Sequence, residues 1–479
     1  MLDLAFMVAL QAVLLAAVIL LREPKLLIPC VILGLPFEYL QTEAVGTLGE
    51  GGAGGAIRTM LNPGKAAMAA AIVVAAWRCR HNPARLIPNS SFLVPVVLFA
   101  GVLTLGVGWS DTQRPTNAVI ILPMYVAFVF AAPALIENRR DIERIVAAFL
   151  IAAALVSLIA IAQRVVGVFQ WRSILTESDT YSYRSNATFA DPNNLARFLA
   201  ISMALSIGMI LATGPRRMTV YLAAPALVLG LPALVATASR SGWLGFLLAV
   251  FLMILLAPIR RYTKLRLMAC GAAGVGMMLG LLMLQGGSEF ERIKTLTLGI
   301  RVLGQREFLI RAGWEMWKDN PFIGVGTGSY QNSLVHNYLW VIPWWAQTTL
   351  SHTSFVSLLA EGGIVAISMF GFVVVRVANA SWTVYRREVE PYARLLAAFC
   401  AVALTEILFQ SQSEGRLFEE PYLYAIFALF IAVERGAARR RPATAPEPVA
   451  EGAGAPVAAR RAAMAAPREA APESPPALA

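Results

Sequence analysis

Two histidines and three arginines are the residues of this chain whose types could carry a reaction: His336 and His352, with Arg184, Arg240 and Arg306. An imidazole with an ordinary pKa near 6.5 can take a proton from a hydroxyl at working pH. A guanidinium cannot, but its planar fork of five donors fits a phosphate. Together they suit a metal-independent transfer in which arginines stabilise a phosphate leaving group and an imidazole is the base. Other chemistries lack their signatures. Gly324-Val325-Gly326-Thr327-Gly328-Ser329 is glycine-rich but has no lysine for a nucleotide-binding loop, and no HExxH pattern appears. No Asp-x-Asp pair stands on an outer loop to hold a divalent ion against a diphosphate. The four cysteines, Cys30, Cys79, Cys270 and Cys400, show no paired spacing. Neither a metal nor a cofactor is expected.

Each candidate has a structural reading beside the chemical one. His352 stands at the start of an apolar run, where histidine is commonly a satisfied structural group. Its scarcity in this chain and its place on the same side as the arginines favour it as the base. His336 falls in the aromatic segment 336–345, which reads as an interfacial belt, and is the second choice. Arg184 precedes Asp191 and Pro192, an N-cap and first helical residue, by too far to belong to the cap. A headgroup anchor and a hold on an anionic substrate both stay open for it. Arg240 lies in Thr237-Ala238-Ser239-Arg240-Ser241-Gly242, where a turn needs serine and glycine but no arginine. Snorkelling to headgroups and phosphate recognition are its two readings. In residues 303–318, Glu307, Arg311, Glu315 and Lys318 share one helical stripe of alternating sign, the pattern of a solvated ladder. Arg306 instead projects with Leu309, Ile310, Gly313 and Trp317, so it needs a buried partner or a ligand and ranks above Arg311.

Helices crossing a membrane must position these residues. Of 479 residues 58% are hydrophobic and 14% charged, and the mean hydropathy is +0.64. Apolar runs of about 16 to 22 residues recur, long enough for a hydrocarbon core of roughly 30 Å. The net charge of +11 sits in short clusters between these runs, which explains orientation better than it would a nucleic-acid partner. The first run, residues 2–21, lacks a basic leader and a cleavage site and reads as retained. Further spans are expected near residues 26–40, 65–77, 92–107, 118–136, 145–166, 196–212, 220–236, 243–258, 267–284, 353–375, 395–408 and 422–433. Arginine-rich connections alternate with connections poor in positive charge, placing the former in the cytoplasm and 108–117, 168–194, 237–242, 285–352 and 410–420 outside. The fold class expected is an all-α polytopic membrane protein of about twelve transmembrane helices, or about thirteen by loop charge, with a large outer loop, 285–352, that contains helices. Residues 1–434 form the membrane domain. The Ala/Pro-rich tail 435–479 cannot build a core and is expected to be cytoplasmic and disordered.

Four stretches in order carry a resemblance: residues 184–194, Ser239-Arg240, Arg306 followed by Asn320-Pro321-Phe322-Ile323-Gly324-Val325-Gly326, and His352 through Leu359-Ala360-Glu361-Gly362. They resemble the motifs of the O-antigen ligase and polymerase superfamily, over nearly the whole chain short of its tail. Two positions depart from the pattern: Ala187 stands where the family usually has glycine, and Thr353 where asparagine is common. The family is usually drawn with twelve membrane helices. The resemblance implies a glycosyltransferase at the outer, periplasmic face of the bacterial inner membrane. Its donor would be O-antigen on undecaprenyl pyrophosphate and its acceptor a sugar hydroxyl of lipid A-core. His352 would remove the acceptor proton, Arg240 and Arg306 would bind the departing pyrophosphate, and Arg184 would help position it. Arg311, His336, Asn193 and Glu361 are further candidates. A polymerase accepting a second lipid-linked chain and a ligase accepting a protein Ser or Thr remain open. A lipid-linked-oligosaccharide transporter is a weaker rival, since it would place charge near the bilayer midplane and lack the large outer loop.

Overall fold

The computed structural model describes residues 23–38, 62–112, 117–169, 184–213, 219–269, 271–272, 305–344, 353–388, 390–414 and 417–439. The first apolar run, most of the span expected at 267–284, the start of the outer loop to residue 304, residues 345–352 with His352, and the tail beyond 439 lie outside the described residues. Within them the elements are helices and there is no strand.

The first helices in chain order are α1 (Leu27–Gly34), α2 (Pro63–Arg78), α3 (Leu93–Leu105), α4 (Leu122–Leu135), α5 (Arg139–Val165), α6 (Pro192–Thr213), α7 (Ala224–Ala236) and α8 (Arg240–Leu256). Two helices of the connection expected to lie outside follow, α9 (Gln305–Asp319) and α10 (Tyr330–Asn337), and then α11 (Ser354–Arg387), α12 (Pro391–Glu414) and α13 (Pro421–Arg439). Among the described residues five helices are long and apolar enough to cross a membrane, including α5, α6, α11 and most of α12. Four shorter apolar helices accompany them. Polar residues at the expected places start them. Asn62 accepts from Lys65 N (3.0 Å) at the head of α2, Asn138 and Asp141 form a reciprocal capping box on α5, and Ser239 accepts from Gly242 N (3.2 Å) on α8. The observed starts of α6 and α8 lie a few residues ahead of the expected apolar runs because the caps, rather than the first apolar residue, begin the helix.

α6 is buried on nearly every face and packs against α5, α7, α8 and α12, so it is the central post. The arginine-rich connections gather at one end of the bundle. There Arg139 pairs with Glu390, Arg78 lies 3.6 Å from Glu137, Ser90 Oγ donates to Glu434 (2.7 Å) and Arg435 donates to Pro133 O (3.0 Å). The connections carrying Arg184, Arg240 and α9–α10 lie at the other.

The longest helix is broken where it meets the outer-loop helices. Gly363 in α11 has φ +60° and ψ −160°, a conformation essentially confined to glycine. In a continuous helix the amides of Ile364 and Val365 would bond to the carbonyls of Ala360 and Glu361. The break frees all four groups, and residues 321–326 pair every one of them. Ile364 N donates to Pro321 O (2.9 Å) and Val365 N to Phe322 O (3.2 Å), while Val325 N donates to Ala360 O (2.9 Å) and Gly326 N to Glu361 O (3.0 Å). The approach is so close that a Cβ on Gly363 would stand 2.3 Å from the Phe322 carbonyl carbon, and one on Gly324 2.3 Å from that of Glu361. Beyond the break, residues 364–387 continue for about 36 Å at about 1.5 Å per residue, enough to cross the hydrocarbon.

Gly363→Ala is expected to cost at least about 2–3 kcal/mol, from the forbidden φ and the collision with Phe322. Gly371→Ala, on the same helix with nothing within 4 Å of its would-be Cβ, is the control and should leave stability unchanged or slightly raised. Thermal unfolding of the two purified variants in detergent checks the difference; equal midpoints would contradict the role of the break.

Candidate functional site

Arg184 and Arg240 come from different connections, and the backbone ties those connections together. Ser185 N donates to Ala236 O (3.0 Å), the last residue of α7. Arg184 Nε donates to Thr237 O (2.9 Å) and its Nη2 to Asn193 Oδ1 (2.6 Å). Arg184 thus bridges the head of α6 to the turn that presents Arg240, and Asn193 is its anchor. With these two donors committed, the role the geometry supports for Arg184 is fixing the turn. Arg240 is exposed at the first position of α8, beyond the Ser239 cap, and that first turn contains no acidic residue. A cation there is opposed by the helix dipole, and the same helix end attracts an anion. An arginine so placed gains most when a phosphate binds between its guanidinium and the amides of that turn.

Both connections hold an alanine in the left-handed region, Ala187 at φ +46° and Ala238 at φ +48°. Gln163 of α5 holds the first of these in place. Its Oε1 accepts from Ala187 N (2.8 Å) and its Nε2 donates to Ala187 O (3.2 Å) and Phe169 O (2.8 Å). The family's usual glycine at this position therefore has a physical reason. Alanine meets it at the cost of strain, which the buried amide clamp offsets.

The first turns of α6 also carry charge that the sequence reading passed over. Asp191 Oδ1 accepts from Asn193 N (2.7 Å) as the expected cap. One face onward, Asn194 donates to Glu38 (3.2 Å), and Arg197, fully buried, donates to Glu420 (2.6 Å) from the connection before α13. An ion pair of 0% and 1% exposure at a bundle end is costly to desolvate and joins α6 rigidly to α13. An arginine inside an apolar run was the signal for it.

The outer-loop helices form a lobe with its own small core of Leu309, Ala312, Met316, Tyr330, Leu334 and Tyr338, to which Ala360 of α11 also belongs. Arg306 is half-buried and Leu309 and Gly313 of the same face are buried, as its helical phase predicts. On the other stripe Arg311 and Glu307 are exposed; Glu315 and Lys318 form an ion pair (3.0 Å), while none joins Glu307 to Arg311. His336 is exposed on α10, its Nδ1 bonded to Asn332 O (2.8 Å), which leaves Nε2 as the acceptor of a neutral ring. Tyr338 donates to Asp319 (2.6 Å); burial, and then that carboxylate, push its hydroxyl up to about 12, so it serves as a fixed donor. Glu361 is half-buried and accepts from Tyr330 N (3.0 Å), holding the head of α10.

Two further contacts bind the lobe to the bundle. Thr327 N donates to Gly106 O (3.2 Å) and Ser110 Oγ to Thr327 O (2.7 Å), joining it to the end of α3. Gly313 lies against Val356, where a Cβ would meet the valine at 2.5 Å, and Phe355 N donates to Gln412 Oε1 (3.3 Å) at the end of α12. α12 in turn brings Gln410 and Glu406 against Gly245 of α8. His352 lies outside the described residues. The helix that begins two residues after it, α11, is held between Arg306's helix and the end of α12.

Residues 225–371 match the family described as O-antigen ligase. That segment, less than a third of the chain, is what is similar to the O-antigen ligase family. It holds Arg240, Arg306, His336, His352, Glu361 and the whole of the lobe, and leaves Arg184, Asn193 and the Arg197–Glu420 pair outside it. No curated protein matches the chain. The family is one of O-antigen ligase- and polymerase-type membrane enzymes, and the several apolar helices agree with a multi-pass protein.

Gln163→Leu should destabilise the chain by about 2–3 kcal/mol, because it leaves the buried amide and carbonyl of Ala187 unpaired. Ala187→Gly should gain up to about 1 kcal/mol by removing the strain. Unfolding midpoints of the two purified variants against wild type measure both; a destabilised Ala187→Gly would contradict the account of this position.

Proposed function

We infer that the chain is an inverting, metal-independent glycosyltransferase that moves O-antigen polysaccharide from undecaprenyl pyrophosphate to a sugar hydroxyl of lipid A-core, at the periplasmic face of the bacterial inner membrane. The observation that carries this reading is the tie between Arg184 and the turn of Arg240, at the same bundle end as the family-matching lobe with Arg306. A departing pyrophosphate is stabilised by fixed cations, and this end presents Arg240 on a turn that Arg184 ties down through Thr237 O and Asn193.

In this reading the acceptor hydroxyl oxygen attacks the anomeric carbon from the side opposite the leaving group. The bond from that carbon to the pyrophosphate oxygen breaks, and its electron pair stays on the pyrophosphate, where Arg240 and Arg306 neutralise the added charge. His352 takes the hydroxyl proton. Arg184, through Thr237 O and Asn193, keeps the Arg240 turn in place. Arg311 and Glu315–Lys318 lie on the solvated stripe and have no part in the step. Donor and acceptor lie in or at the membrane, as a site at the end of a bundle allows. The connections rich in arginine at the other end then face the cytoplasm. About twelve membrane helices is the count this family reading carries.

His352→Ala should lower ligation by about 10²-fold or more with the protein still folded. Arg240→Lys and Arg306→Lys should each impair it too, since a point charge does not reproduce a bidentate fork. The readout is lipopolysaccharide from a deletion strain complemented with each variant. Long chains left on the carrier in the uncomplemented strain fit a ligase. Single repeat units left there would make the chain a polymerase, and near-normal ligation by His352→Ala would remove the proposed base.

A further inference from the structure

The bundle end opposite the arginine turn holds a cavity of about 340 Å³ between α8, α11 and α12. Its walls are apolar and of uneven size: Leu256, Ala378 and Ala401 leave the space, and Trp382 and Tyr385 bound it. Ser381 also lines it, is 2% exposed, and its hydroxyl has no hydrogen-bond partner among the described residues.

Three cations lie beside this cavity, two of them over rings that form its walls. The Arg386 guanidinium lies 4.6 Å from the Trp382 ring centre and that of Arg394 5.0 Å from the Tyr385 ring. Lys264 Nζ donates to Leu255 O (2.5 Å), beside Leu256 at the end of α8. Among the described residues none of the three is in an ion pair, whereas Arg139 nearby on α5 has taken Glu390. Burial, and then the charge of Arg394, hold the Lys264 amine below its ordinary value, so these two cations feel each other. Like charges gathered over an apolar groove between membrane helices leave an unmet requirement for an anion joined to a hydrocarbon tail.

We propose that this groove binds one anionic phospholipid of the leaflet at that end, with an acyl chain between α8, α11 and α12 and the phosphodiester held by Lys264, Arg386 and Arg394. A soluble phosphate would use the cations but not the groove. A zwitterionic phospholipid would use the groove but bring its own cation against the three. Only the anionic lipid meets both features. The site is separate from the transfer site yet shares α11 and α12 with it, so the lipid braces the two helices whose far ends meet at Phe355 and Gln412.

The full chain, reconstituted in phosphatidylcholine bilayers containing a minor fraction of phosphatidylglycerol or phosphatidylcholine with brominated acyl chains, tests this through tryptophan fluorescence. Brominated phosphatidylglycerol should quench at an apparent lipid concentration at least about fivefold lower than brominated phosphatidylcholine. Trp382→Phe should remove that difference, because Trp382 is the reporter in the groove. Lys264→Gln with Arg394→Gln, and separately Ala401→Phe, should bring the phosphatidylglycerol response to the phosphatidylcholine level. Equal quenching by the two lipids in wild type would overturn the proposal, as would an excess that survives Trp382→Phe. An excess that survives both the charge variant and the filled groove would overturn it equally. Should a filled variant fail to fold, wild type against Trp382→Phe still decides.

Discussion

A backbone amide or carbonyl shielded from water must be paired, and among the described residues the hardest place to meet that rule is the break in α11. Four groups lose their helical partners around Gly363, and residues 321–326 replace each partner with one of their own. An unpaired group there would cost several kcal/mol, so helix and segment are stable only together. Everything the outer lobe does follows from being fastened at this point.

The glycines of residues 324–328 look in sequence like a loop that approaches a phosphate. The structure gives them another use. Gly324 lets the segment lie against the Glu361 carbonyl, and Gly326 lets it lie against Ser110 at the end of α3. The motif is a seam between lobe and membrane helices. Ala360 makes the same point from the other side, since it belongs to the lobe's core although it is carried by a membrane helix. The first arm of α11, which begins two residues after His352 in sequence, is therefore a shared element. At the bundle's side of the site, Arg184 and Gln163 play the fastening role, using hydrogen bonds to backbone across connections instead of a helix break.

Much of this was legible in the sequence. Apolar run lengths gave the five helices long and apolar enough to cross a membrane among the described residues, the cap at Asp191 gave the start of α6, and the arginine-rich connections marked one end of the bundle. Helical phase separated Arg306 from Arg311. What could not be read is pairing between distant connections. Nothing in residues 320–326 announces that they bond to residues 360–365, and nothing local ties Arg184 to Thr237, because both depend on helix ends meeting in space. The Arg197–Glu420 pair was hidden for a related reason. Arg197 falls in the first turns of a helix read as an apolar span, and Glu420 in a connection read only for its side of the membrane. The positive φ of Ala187 was visible as a departure from the family's glycine, but the glutamine that stabilises it comes from a helix 24 residues away.

The most direct measurement of this fastening is a Phe322→Cys, Val365→Cys pair in a chain whose own cysteines are replaced, oxidised in native membranes and then assayed for polysaccharide transfer. Val365 N and Phe322 O are bonded at 3.2 Å, which holds the two backbones side by side; the thiols are expected to form a disulfide, and transfer to continue at the rate of the reduced protein. Failure of the disulfide to form would contradict the seam. A disulfide that forms and stops transfer would show that the lobe must leave the bundle to work, contrary to a site whose two halves are permanently joined.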